Sequence, residues 1–312
     1  MKLTYNIFIA FSYIFIFFLI SCSDSSSSTN PNENSFIIQD QINNATSNAT
    51  INIPSGTYHE NIVIEGKTIH LKGESPTRTI IDGGNLGHVI SYKPGTKQSI
   101  PGGSISGLTI KNSGSGETDC GISIVSGEVE IYSNILEDNN NGIGAHQGAK
   151  LNIYNNFIHN NAGIGIGSKQ DSELTISNNI VINNSTGIGI EESSLAKLIS
   201  YNTIYKNNVS GISLKTDNTS DNVINNNIIT DNLSAGISVD NGLIVNDYNN
   251  VFNNKTDYKN CSKGQHGISV DAMFKDITNN NFHLNTNSTC LNASDNNSEI
   301  GAYGGTRPFS LF

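Results

Sequence analysis

The chain of 312 residues has no tryptophan, two methionines and six prolines. Its only arginines are Arg78 and Arg307. Charged residues make up 14%, well below the usual quarter, and the formal net charge is -10. Neutralising phosphates requires clustered Lys and Arg, so nucleic acid is excluded as a partner. No G-x-x-x-x-G-K-[ST] or G-x-G-x-x-G motif follows a strand and opens a helix, which argues against a nucleotide site. The four cysteines lack zinc-like spacing. Without Trp the best sugar-stacking ring is missing, although 11 Tyr remain. Apolar residues at 36%, together with 30 Gly, still suffice for a core and exclude wholesale disorder. The residue that fills the gap is Asn, at 48 positions.

Lys2 is followed by an apolar run from Ile7 to Ile20, short for a spanning helix but suited to a secretory signal. The run ends in Leu19-Ile20-Ser21-Cys22, which resembles the lipobox of bacterial lipoproteins. That resemblance implies a signal peptide over 1–21, cleavage before Cys22 and acylation at Cys22. Two or more acyl chains make a stable membrane anchor. Loss of Lys2 takes the charge to -11. Residues 22–35, rich in Ser and Asn, read as a flexible tether. Ser23, where inner-membrane lipoproteins carry Asp, implies the outer membrane. In such a protein N-x-[ST] matches such as Asn48-Ala49-Thr50 are not glycosylation sites.

Residues 36–312 repeat. Gly-Ile recurs at Gly121, Gly142, Gly163, Gly187, Gly211 and Gly236, in steps of 21 to 25. An Asn followed by one or two apolar residues recurs at Asn134, Asn156, Asn179, Asn202, Asn227 and Asn250, in steps of 22 to 25. In one unit the apolar residues alternate at Leu174/Ile176, around Val181, and at Ile188/Ile190. Three strands of three to five residues, with no helix between, fit one coil of a parallel β-helix. A single coil cannot bury its apolar side, and stacking makes a continuous core. The Asn column reads as a structural ladder, its members tolerating a left-handed bend and bonding along the axis. Residues 36–44 alternate like a short helix capping the first coil.

The opening coils, Ile51-Asn-Ile53-Pro-Ser-Gly56-Thr-Tyr58 through Thr79-Ile80-Ile81-Asp82-Gly83-Gly84, resemble the pectin-lyase-like superfamily of right-handed β-helix proteins. The closing stretch from Asp271-Ala-Met-Phe274 to Ile300-Gly301-Ala302-Tyr303 fits the same superfamily. The expected architecture is all-β, a single-stranded right-handed parallel solenoid of about ten coils with a short N-terminal cap, acting as a monomer. The superfamily contains lyases, hydrolases, esterases, epimerases and non-enzymes, so the resemblance specifies fold rather than activity.

Apart from Cys22 the cysteines are Cys120, Cys261 and Cys290. In an exported chain Cys261–Cys290 would staple the C-terminal region; the alternative is three buried small hydrophobes. Alternation places one outward column at Ser123, Gly144, Gly165, Gly189, Ser213 and Ser238, and a second at Val125, His146, Gly167, Glu191, Lys215 and Asp240. The first column is a flat floor on which an extended polymer could lie. The superfamily resemblance implies acidic glycans and proton abstraction beside a carboxylate. On that scheme Lys215 is base or charge stabiliser and His146 is proton donor, while Glu191 and Asp240 hold a Ca²⁺. A hydrolase would use Glu191 and Asp240 as its acid/base pair. The plain alternative is a charge-balanced sheet surface. A further outward column, Glu137-His159-Ile182-Tyr205-Thr230, offers His159 and Tyr205 as sugar contacts. Against a polyuronate lyase stand the negative charge, the dearth of Arg, and the lack of any pectate-lyase, polygalacturonase or pectin-methylesterase catalytic motif. The expectation is a cell-envelope lipoprotein that binds or modifies polysaccharide in a flank groove, or else a non-catalytic surface or adhesion protein.

Overall fold

Strands here are short because a left-handed residue interrupts the chain at each corner. Ser133, Asn155, Asn178, Tyr201, Asn226 and Tyr248 hold φ between 52° and 57° at one bend; Asp138, Asn160, Asn183, Lys206, Asp231 and Asn253 hold 53° to 59° at the next. Each such residue reverses the pleat and turns the strand through a corner. The computed structural model describes residues 36–96 and 99–311, nearly all within one unit, Ile37–Phe312. The signal, Cys22 and the tether lie outside the described residues. Among the described residues no helix is long and apolar enough to cross a membrane.

The strands stack as three parallel nine-stranded sheets, one strand of each per coil, in a right-handed solenoid. Nine coils form where about ten were expected. The first sheet runs from Ala49–Ile53 to Leu243–Asp247, the second from Gly56–Tyr58 to Asn250–Phe252, and the third from Ile62–Glu65 to Thr256–Lys259. The register aligns Ile122, Ile143, Ile166, Ile188, Ile212 and Ile237 on the inner side of the third sheet, all buried. Each fully buried Ile contributes roughly 1.5–3 kcal/mol. Ile131, Ile153, Ile176, Ile199 and Ile224 do the same inside the first sheet.

The amide ladder is real, but its last rung differs from expectation. Asn134, Asn156, Asn179, Asn202 and Asn227 accept in turn at Oδ1 from the coil before, and Asn227 donates to Asn249, not Asn250. Asn250 instead opens a strand and bonds the backbone of Val270 through both side-chain atoms. The ladder residues are not themselves left-handed; the residue before each one is. A second ladder, absent from the expectations, runs Asn139, Asn161, Asn184, Asn207, Asn232 and Asn254, and ends on Asp257. The ladders flank the second sheet and satisfy carbonyls that a corner leaves unpaired, such as Ile153 O and Ile158 O.

The first coil is capped by the helix Ile38–Asn44, which buries Ile38 and Ile42. Its N-terminal amides on Ile38 and Gln39 donate to the Glu60 carboxylate at 2.8 and 2.9 Å, and Lys67 Nζ donates to the carbonyls of Ile42, Asn43 and Ala45 at its other end. Opposite charges thus meet both ends of the helix dipole.

Beyond the last coil the chain returns along the outer face of the second sheet. Phe282 and Ala302 bury against Ile180, Ile182 and Tyr205, joined by Phe274, Tyr303 and Phe309. A neighbouring cluster holds Ile228, Ala272, Leu284, Cys290 and Ile300. Backbone and side-chain bonds fix the path: Gly301 N–H to Asn226 O, Ala302 N–H to Thr203 Oγ1, and Asn178 Nδ2 to the carbonyls of Ala302 and Gly304. The column Glu137-His159-Ile182-Tyr205-Thr230 is therefore no open sugar platform: Ile182, Tyr205 and Thr230 are buried. Nor are Cys261 and Cys290 bridged. Cys290 is a buried apolar filler, Cys261 is half-buried, and both thiols are free.

Candidate functional site

The outer face of the third sheet is uncovered. Its pairing makes the first outward column Ser123, Gly144, Gly167, Gly189, Ser213 and Ser238. Gly167 takes the place expected for Gly165, because Gly142 stacks on the carbonyl of Gly165 and not on Gly163. The second column shifts with it. It reads Val125, His146, Lys169, Glu191 and Lys215, and a β-bulge sets Asn241, not Asp240, opposite Lys215.

A cleft of about 800 Å³ lies over this face. Ser123, Gly144 and Gly167 form its floor. At the start of the strands stand His88, Glu117 and Ile164; at their end stand His146, Lys169, Glu191 and Glu192. Of the four residues expected to carry chemistry, His146 and Glu191 line the cleft. Lys215 and Asp240 do not. Lys215 is exposed two coils further on than Lys169, and Asp240 pairs with Lys259 at 3.5 Å. Glu191 is held by Lys169 at 3.1 Å, so the Glu191 and Asp240 carboxylates do not converge on a shared cation. Among the described residues no group of three or more His, Cys, Asp or Glu is arranged to hold a metal ion.

The floor glycines are needed for space. A Cβ on Gly144 would stand 2.7 Å from Cys120 Sγ and 2.8 Å from His146 Nε2. The His146 ring therefore reaches from one wall towards the Cys120 thiol on the other, directly above Gly144. At Gly167 the nearest atoms to a Cβ belong to Ile164, at 3.5 Å, an ordinary contact; Ile164 reaches over Gly189 as well. The Ile164 side chain thus lies as an apolar patch on the floor, which the expectation had placed inside the core.

Protonation follows from burial. Cys120 N–H donates to His88 Nδ1 at 3.1 Å, which leaves the ring proton on Nε2. Burial holds the His88 pKa below the ordinary imidazole value against the pull of Asp119. Burial also lowers His146; His88, when protonated, and Lys169 act in the same direction and Glu192 opposes them. Both imidazoles are neutral at pH 7, when each can pass a proton. The Lys169 ammonium is held protonated, first by its hydrogen bond to Glu191 and then by the charges of Glu191, Glu192 and Glu117. Burial pushes the Cys120 thiol up to about 12, so it is no nucleophile. Lys169 was missed through the register shift, His88 and Glu117 because they lie outside the Gly-Ile strands, and Glu192 because its left-handed backbone (φ 53°) breaks the strand alternation.

A continuous wound core, three parallel sheets and a shallow flank cleft define the right-handed parallel β-helix class. Residues 80–239, just over half the chain, match the family model described as "Right handed beta helix region", and the chain belongs to that family. No curated protein matches the chain. Among solved structures it is similar to pectate lyase Pel9A, with 13% identity over 88% of this chain and 90% of that one and a TM-score of 0.58. It is also similar to the A-module of the Azotobacter vinelandii mannuronan C-5 epimerase AlgE4, with 18% identity, 70% and 73% coverage and a TM-score of 0.49. The PL6 family alginate lyase AlyGC shows 15% identity over 78% of this chain and 40% of that one, with a TM-score of 0.41. These likenesses are of fold.

Proposed function

We propose that the cleft above Ser123, Gly144 and Gly167 is a polysaccharide groove on a cell-envelope lipoprotein anchored through Cys22, and that a glycan chain lies there along the solenoid axis. The observation that carries this reading is the small-residue floor, uncovered on a solenoid whose neighbouring flank is buried. A cleft with an apolar patch at Ile164 and a few converging polar groups suits a ligand with one apolar face and many hydroxyls. The resemblance to lyase and epimerase folds supports a carbohydrate role. For chemistry, His146 is the group able to exchange a proton, and the Lys169–Glu191 pair stands beside it to stabilise developing charge.

Binding without turnover is the second reading. It is favoured by the engaged state of Lys169 and Glu191 and by the protonated, buried Cys120 thiol. Incubation of the purified chain with a glycan panel, scored for binding, chain shortening and unsaturated ends, separates the two. Gly167→Phe fills the floor at a position where an added Cβ makes only ordinary contact, with Ile164 nearest. It should remove glycan binding while leaving cooperative unfolding intact. Unchanged binding in this variant would place the ligand elsewhere. Anchoring is tested by radiolabelled palmitate, which should enter the wild-type chain and not Cys22→Ala.

A further inference from the structure

We propose that the groove takes a glycan bearing free amino groups and disfavours a polyuronate; this rests on the groove reading above. Its lining carries three carboxylates, Glu117, Glu191 and Glu192, against one ammonium, Lys169, and no arginine. Lys169 is committed to Glu191 at 3.1 Å. Among the described residues, the carboxylates of Glu117 and Glu192, on opposite walls, have no ion-pair or hydrogen-bond partner. Both histidines are held neutral by burial and so add no positive charge at pH 7. A uronate carboxylate in this cleft would meet unbalanced negative charge, whereas a protonated amine would meet two free carboxylates.

A second observation points to a polar ligand at the same floor. Ser123 is only 1% exposed and stands in the outward column beneath the cleft, and its hydroxyl makes no hydrogen bond to the described residues. The hydroxyl is not sealed from solvent, so a hydroxyl or amine of a bound sugar can reach it through the cleft and bond it. Ile164, two coils further along the floor over Gly167 and Gly189, supplies the apolar contact for a ring face. The ammonium would then lie between the walls, near Glu117 or Glu192, with the ring over the glycine floor.

The experiment is calorimetric titration of the purified chain at pH 6 in EDTA. The probes are a glucosamine hexamer, its fully N-acetylated counterpart and a mannuronate hexamer. The expected order is glucosamine, then N-acetylglucosamine, then mannuronate, with at least a tenfold gap between first and second. Glu117→Gln/Glu192→Gln should close that gap. Glu128→Gln/Glu130→Gln, on the first sheet, should leave it open, since both carboxylates lie far around the coil from the cleft. Equal loss in the two double variants would reduce the preference to general attraction by an acidic protein and overturn the proposal. Tightest binding of mannuronate, abolished by Gly167→Phe, would overturn the amine preference and keep the groove. No binding of any of the three hexamers would remove the groove reading itself, and this inference with it.

Discussion

The outer faces of the second and third sheets are built from the same repeat, yet one is sealed and the other open. On the second sheet the outward residues are large: Phe157, Ile180, Ile182, Tyr205 and Ile228. Left in water they would form an apolar patch, so the chain after Asp271 folds back over them. On the third sheet the central outward column is Ser and Gly, which leaves a floor to fill between the larger residues at the strand ends. The size of an outward side chain thus decides whether a flank is structural or available to a ligand.

His159 illustrates the sealed side. Its Nε2 lies 3.3 Å from Glu137 Oε2, a distance that reads as an ion pair only if the ring is protonated. Burial lowers His159 and raises Glu137, so the ring is neutral and the contact is a close polar approach rather than an ion pair. It is a packing contact, with Phe157 tilted against the ring at 4.2 Å.

The contrast can be broken most strongly on the sealed flank. Phe282 is 1% exposed and packs edge-on against Tyr205 and Phe274. Phe282→Ala should cost about 3–5 kcal/mol in chemical denaturation, because the rigid coil beneath cannot collapse into the cavity. Full glycan binding should persist in the folded fraction of that variant. On the open flank the effects should reverse. Gly144→Val, which must displace His146 and Cys120, should cost about 1–3 kcal/mol and lower glycan binding by at least tenfold in the same titration.

Acid should discriminate the flanks next. His88 and His146 have folded pKa values below the unfolded value of 6.5. Above that value both states are neutral and the contribution is fully present. As pH falls, the unfolded chain takes protons first, so stability is lost until the folded values are passed. Asp119, Lys169 and Glu192 face these rings and set how far the loss extends. His88→Asn/His146→Asn should flatten the decline in melting temperature between about pH 7 and 5, leaving the share due to His159 and His283, which burial also lowers. The smallest effect belongs to Lys215→Ala. Exposed and outside the cleft, Lys215 should change stability by about 0.5 kcal/mol or less and binding not at all. A large loss of binding in this variant would return the site to the column first assigned.

Much of this was legible in residue spacing, including parts that were not read. Each rung of the second ladder lies five residues after one of the first: Asn134 and Asn139, Asn156 and Asn161, Asn179 and Asn184, Asn202 and Asn207, Asn227 and Asn232. The same offset pairs Asn249 with Asn254 and rejects Asn250, whose neighbour at five is Lys255. The error at Gly163 had a different cause. Gly163-Ile164-Gly165-Ile166-Gly167 repeats every two residues, so any even shift preserves the inward aliphatics, and only the pairing of Ile143 with Ile166 fixes the register. That shift exchanged Gly167 for Lys169 and hid the one ammonium in the cleft.

By itself the sequence determined the winding. A period near 23 residues, alternating Ile and a buried amide at each corner permit stacked coils and little else, because every rung must find its partner one coil away. Only the tertiary structure decided which flank is open. Alternation tells which side of a strand a residue faces, but not what lies on that side; Ala302 meets Thr203, and Phe282 meets Tyr205, across chain separations that no local pattern encodes.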